Sequence, residues 1–154
     1  MIILILISLG VLIFSLLSFY SYFLRDPERR IPDGNFILAP ADGKVIDVFV
    51  LEKDQASVTI DKGLFGRIST LMEGMGEGPF TLISIFMNPL NVHVQRVPVS
   101  GEVCGIVHKD GAFKMADSLR AIENERTETL IKSSIGFVKV IQIAGIMVRR
   151  IENW

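Results

Sequence analysis

Two residues of this sequence could carry acid–base chemistry, His93 and Asp42. Imidazole is the side chain whose ordinary pKa lets it take up and return a proton near neutral pH. His93 lies in FMNPLNVHVQRVPVSGEV, residues 86–103. Side chains alternate faces along a strand, so an extended run puts Leu90, Val92 and Val94 on one side and Asn91, His93 and Gln95 on the other. On that polar face His93 is either a solvated ring or a proton-transfer group displayed toward a site. Asp42 stands in PADG, between Ala41 and Gly43. An aspartate at such a position can cap its own turn. The functional alternative is a carboxylate that holds one ring nitrogen of a histidine so that the other can accept a proton.

An internal echo connects the two. PADGKVIDV, residues 40–48, matches PVSGEVCGI, residues 98–106, at Pro, at Gly, at the charged residue after it and at the following Val. Each copy reads as a proline-led approach, a glycine turn and a departing strand, which predicts two similar hairpin corners packed against each other. Asp42 and His93 each lie near one copy, so packing the corners would bring them close. Such corners resemble the barrel-sandwich halves of biotinyl and lipoyl carrier domains, a likeness of pattern that carries no activity with it. Those carriers modify a lysine at a hairpin tip, commonly between two methionines; Phe113-Lys114-Met115 lacks one flank, which argues against that role for Lys114.

Other candidates are weaker. MEGMGEGP, residues 72–79, is glycine-rich but leads into the strand-like FTLISIFM rather than a helix N-terminus, so it reads as a loop and not a phosphate cradle. Cys104 and His108 have a spacing a metal could use, but further ligands at suitable spacing are missing and no metal is assigned. His108 opens a turn-like HKDGAF and is expected to be exposed. Cys104, the single cysteine, excludes an intrachain disulfide, fits a reducing compartment and is expected to be a small buried apolar residue. The ENER run at 123–126 and the pair Arg149 and Arg150 read either as solvated charge or as groups for a headgroup phosphate or carboxylate, to which guanidinium is well matched.

The elements that must position these residues follow an apolar leader. Ile2 to Leu24 carries no charge, and at about 1.5 Å per residue it covers roughly 35 Å, enough for a hydrocarbon core of about 30 Å. It is too long for an ordinary signal-peptide core, no Lys or Arg precedes it and no small-residue cleavage box follows. Residues 1–24 are therefore expected to be a retained single-pass anchor. Phe19, Tyr20, Tyr22 and Phe23 suit an interfacial belt, and Arg25, Arg29 and Arg30 place the remainder on the cytoplasmic side of the cell membrane, where they could attract anionic headgroups. All 16 basic and 17 acidic residues lie beyond the anchor. Neither a basic stripe nor an aromatic RNA-reading motif is present, so nucleic acid is not an expected partner.

Residues 25–35 read as a polar connector and 36–154 as a mainly β (α+β) domain, barrel-sandwich-like with one short helix. Strands are expected near 36–39, 43–51, 56–61, 80–87, 90–96, 102–107, 127–132, 137–143 and 146–151. The helix is expected within FKMADSLRAIENER, residues 113–126, with Asp117 or Ser118 as N-cap.

Taken together and in order, FLRDPERRIP, APADGKV, FMNPLNVHVQRVPVSGEV, FKMADSLRAIENER and VIQIAGIMVRRI resemble the short-form phosphatidylserine decarboxylase proenzymes, over nearly the whole chain from Phe23 to Trp154. A sister activity on archaetidylserine shares these motifs. The resemblance implies a membrane-bound lyase of phosphatidylethanolamine biosynthesis whose own serine becomes a covalent pyruvoyl group. That group takes the substrate amine as a Schiff base and acts as electron sink when carbon dioxide leaves. It also implies that Asp42 and His93 assist the serine's attack as catalytic residues, with membrane phospholipid and a pyruvoyl-bearing small subunit or segment as partners. Longer-chain relatives carry a second histidine where this chain has Arg96. No Gly-Ser pair occurs in the chain, so it is expected to be a fragment, a truncated frame or the larger subunit, unable alone to make its cofactor. The rival expectation is a non-catalytic, membrane-tethered barrel-sandwich module that binds or carries a ligand. Homo-oligomerisation is left open.

Overall fold

The computed structural model describes residues 1–34, 36–51, 75–76, 78–111, 124–145 and 151. The apolar leader forms one helix, α1 (Ile2–Phe23), of 22 residues with none of its side chains buried against the rest of the chain. Ser8 and Ser15 donate their hydroxyls to the carbonyls of Ile5 and Val11 at 2.9 and 2.8 Å. Turning polar groups back onto the helix is what a low-dielectric surrounding requires. The helix is long and apolar enough to cross a membrane. It ends at Leu24, whose N–H donates to the Tyr20 carbonyl at 3.1 Å.

Five strands follow among the described residues: β1 (Lys44–Leu51), β2 (Phe80–Phe86), β3 (Gly101–Lys109), β4 (Arg126–Ser133) and β5 (Gly136–Ile143). They form an antiparallel β1–β2 pair and an antiparallel sheet ordered β3–β4–β5. The chain is thus mainly β behind an apolar helix, in agreement with the sequence reading. The expected strands near 43–51, 80–87, 102–107, 127–132 and 137–143 are present within a residue or two.

The echo seen in the sequence is also an echo in space. Gly43 and Gly101 occupy equivalent places: a Cβ on Gly43 would run into the Phe86 carbonyl and Ile85, and one on Gly101 into the Lys132 carbonyl and Ile131. Gly43 also has φ +150°, which disfavours any side chain. Each departing strand then carries a register shift at the same point, between Val45 and Asp47 in β1 and between Val103 and Gly105 in β3. The approaches are joined reciprocally. Leu38 N–H donates to the Pro98 carbonyl and Arg96 N–H to the Pro40 carbonyl, both at 2.9 Å. The corners do pack against each other, through main-chain bonds that exchange roles between the copies.

Four expectations are corrected. Residues 36–39 and 90–96 form no ladder strand; apart from the two bonds just named they are extended or turned chain. Cys104 is exposed, because it stands at the register shift of β3, with its thiol directed to the Glu102 carbonyl at 3.7 Å. Arg126, at the end of the expected helix, instead begins β4, and Asn124 is a buried bridge residue whose amide donates to the Ala144 carbonyl at 2.8 Å. The body of that helix, Lys114, the strand near 56–61 and nearly all of that near 146–151 lie outside the described residues.

Candidate active site

Asparagine chemistry shapes the chain that presents His93. Asn88 accepts from the Leu90 N–H on its Oδ1 at 2.8 Å, and Asn91 accepts from the Asn88 N–H on its Oδ1 at 2.8 Å. With the Asn91 N–H donating to the Asn88 carbonyl at 3.0 Å, these bonds close a turn around Pro89. That is why the expected strand fails here: side-chain oxygens capture N–H groups a ladder would need. Val92 follows the turn into the core, 5% exposed, and His93 emerges half-buried beside it.

Two contacts define the imidazole. Its Nδ1 lies 2.9 Å from the Asn91 carbonyl oxygen. A carbonyl can only accept, so Nδ1 carries the proton and the neutral ring keeps its lone pair on Nε2. Nε2 has no hydrogen-bond partner among the described residues. One face of the ring is covered by Phe23, the last residue of α1, with centroids 3.6 Å apart and planes inclined by 25°. Burial lowers the His93 pKa below 6.5; the Asn91 hydrogen bond opposes this and the nearby Arg25 charge adds to it. The net effect favours a neutral imidazole with a basic Nε2 at pH 7.

The connector is fastened to the same region. Arg25 donates from Nη1 to the Tyr22 carbonyl and from Nη2 to the Leu90 carbonyl, both at 2.8 Å, with its guanidinium 3.8 Å from the Tyr22 ring centroid. Asp26 pairs with Arg96 at 2.6 Å, and Arg29 pairs with Asp42 at 2.9 Å. The RDPER segment therefore straps the end of α1 to both corners.

Asp42 and His93 lie on chain segments joined by the Arg96–Pro40 bond, but no hydrogen bond links their side chains. Asp42 is held by Arg29, and His93 is oriented by a main-chain carbonyl. Arg149 and Arg150 lie outside the described residues. His108 is exposed as expected, with Nδ1 3.2 Å from the Thr127 hydroxyl and Nε2 3.7 Å from carboxylate oxygens of Asp110 and Glu125, so it makes contacts separate from those of Cys104. Sequence reasoning missed Phe23, Asn91 and Arg29 as parts of the site. The order RDPER directly after an apolar helix was the available signal, since alternating charges there can bind protein as well as lipid.

An apolar helix long enough to cross a membrane is strapped to paired β corners, with a neutral imidazole under its last residue. The family described as phosphatidylserine decarboxylase matches residues 16–154, and the chain belongs to that family. A protein of Methanothermobacter thermautotrophicus, provisionally named archaetidylserine decarboxylase proenzyme, is 42% identical over 148 residues, covering 96% of this chain and 63% of its own length. A phosphatidylserine decarboxylase proenzyme of Chlorobaculum tepidum is 39% identical over 146 residues, covering 94% of this chain and 56% of its own. The chain thus spans about three-fifths of the length of these relatives.

Proposed function

We propose that this chain supplies the acid–base groups of a decarboxylase that converts phosphatidylserine, or a serine lipid with the same headgroup, to the ethanolamine lipid and carbon dioxide. The observation that carries the reading is His93: a histidine with Nδ1 committed to a carbonyl and Nε2 left basic, stacked on the end of a helix apolar enough to cross a membrane. Breaking the bond between Cα and the carboxylate leaves an electron pair on Cα, and a proton must later be delivered there. The pyruvoyl group implied by the family supplies the electron sink when present. The residues here fit such a group in their chemistry, because a neutral imidazole can take a hydroxyl proton as the group is made and move a proton during turnover. His93 Nε2 is the proposed proton carrier. Asp42, held by Arg29 on the adjoining corner, is proposed as its companion carboxylate. Arg149 and Arg150 are proposed to hold the headgroup phosphate, and a pyruvoyl-bearing segment or subunit is the proposed partner. The domain is proposed to face the cytoplasm from a single-pass anchor in the cell membrane.

The test is carbon dioxide release from carboxyl-labelled phosphatidylserine in vesicles, using the protein expressed from its complete gene. Release is expected, and His93→Ala is expected to lower it by about a hundredfold to ten-thousandfold, the usual worth of positioned acid–base help. No release from the unmodified protein would instead favour a tethered binding module, and full activity in His93→Ala would take His93 out of the mechanism. Running the diether lipid archaetidylserine alongside separates the two substrates named for the relatives.

A further inference from the structure

We infer that the turn at 88–91 is a second membrane contact, with the Leu90 side chain inserted among the lipid headgroups beside the end of α1. The inference rests on reading α1 as a membrane anchor. Its first support is depth. At about 1.5 Å per residue α1 runs roughly 33 Å, close to the thickness of a hydrocarbon core, so its ends fall at the two interfaces. Tyr20 and Tyr22, 64% and 47% exposed, and then Arg25 mark the interface at its C-terminal end.

The turn is pinned to that depth. One guanidinium, that of Arg25, holds both the last helical turn at Tyr22 and the Leu90 carbonyl. Phe23 and His93 are stacked alongside. Leu90 therefore stands at the helix end, and it cannot enter the domain while the asparagine bonds hold the turn closed. Its side chain is 63% exposed, while Val92 just beyond is 5% exposed.

The chemistry of the turn suits lipid. A lone exposed leucine is ordinary on a protein surface, but residues 79–95 contain no Asp, Glu, Lys or Arg in a chain that is 21% charged. No ionised group of the turn need lose its water on insertion. Both asparagine side-chain oxygens are already bonded within the turn, which removes much of the cost of dehydrating them. Insertion of Leu90 would set the His93 ring at headgroup height, where a lipid-borne serine lies.

The experiment places a nitroxide label at position 90 (Leu90→Cys) in the full chain carrying Cys104→Ser, in phosphatidylcholine–phosphatidylserine vesicles. Collision rates with oxygen and with a water-soluble nickel chelate report depth. Leu12→Cys, in mid-helix, and Asp110→Cys, in a fully exposed position, give the lipid and water references. The expected oxygen-to-nickel ratio at 90 lies between those at 110 and 12, well above the former, and Arg25→Gln lowers it. A water-like value at 90 with a lipid-like value at 12 overturns the inference and leaves the anchor standing. Water-like values at both overturn the two together.

Discussion

His93 owes its tautomer to a main-chain carbonyl, and this makes its titration a sensitive report on its surroundings. Burial is the largest cause of its lowered pKa. Nitrogen-detected NMR should therefore place its midpoint below 6.5, and Phe23→Ala should move that midpoint upward by exposing the ring face. The sign for stability follows from proton binding: the folded ring resists a proton that the unfolded one accepts near 6.5. Its contribution is thus complete above about pH 6.5 and declines as pH falls toward the lowered value. The residue type was legible in the sequence, because an isolated histidine among polar neighbours invites such a role. Its environment was not, because the covering ring is supplied by the anchor, far away in sequence, and the orienting oxygen is main chain, which no side-chain pattern records.

Among the described elements, β4 carries a carboxylate held by three cations. Glu128 is 5% exposed and accepts from Arg126 at 2.9 Å, from Lys109 on β3 at 3.0 Å and from Lys139 on β5 at 3.1 Å. In the ladder Glu128 faces Val107 and Ile141, so both lysines are its diagonal neighbours, one from each flanking strand. Burial pushes the carboxyl up, but the three cations outweigh it and hold its pKa at about 2. A depressed carboxylate stabilises the fold above its unfolded pKa. Urea titrations should accordingly show about 3 kcal/mol lost as pH falls from about 4.5 toward 2. Glu128→Gln should cost about 3 kcal/mol at pH 7, the stability that the ionised carboxylate draws from its three cations, and should flatten that acid slope. Strand positions were readable from alternation and β-branched residues. The failure at 90–96 has a local cause, in that two asparagines outbid the ladder, and spacing alone could not reveal it.

At the scale of the whole molecule, the connector decides how the domain stands on its helix. The Arg29–Asp42 and Arg96–Asp26 pairs are roughly half exposed, and pairs of that kind contribute only about 0–1 kcal/mol each to stability. Their effect is on orientation. Asp26→Asn combined with Asp42→Asn should lower the unfolding midpoint by no more than a few degrees, since each pair contributes so little. The same variant should broaden the distance distribution between spin labels at positions 12 and 110. The sequence reading offered residues 25–35 as a polar connector. It assigned the arginines to lipid because charge next to an apolar helix serves lipid and protein equally well, and only folded geometry separates the two.

The reciprocal bonds between the corners reach further. Leu38 gives to Pro98 what Arg96 gives to Pro40, so each half stands to the other as identical subunits stand across a dyad. One polypeptide thereby contains a seam of the kind that ordinarily joins two.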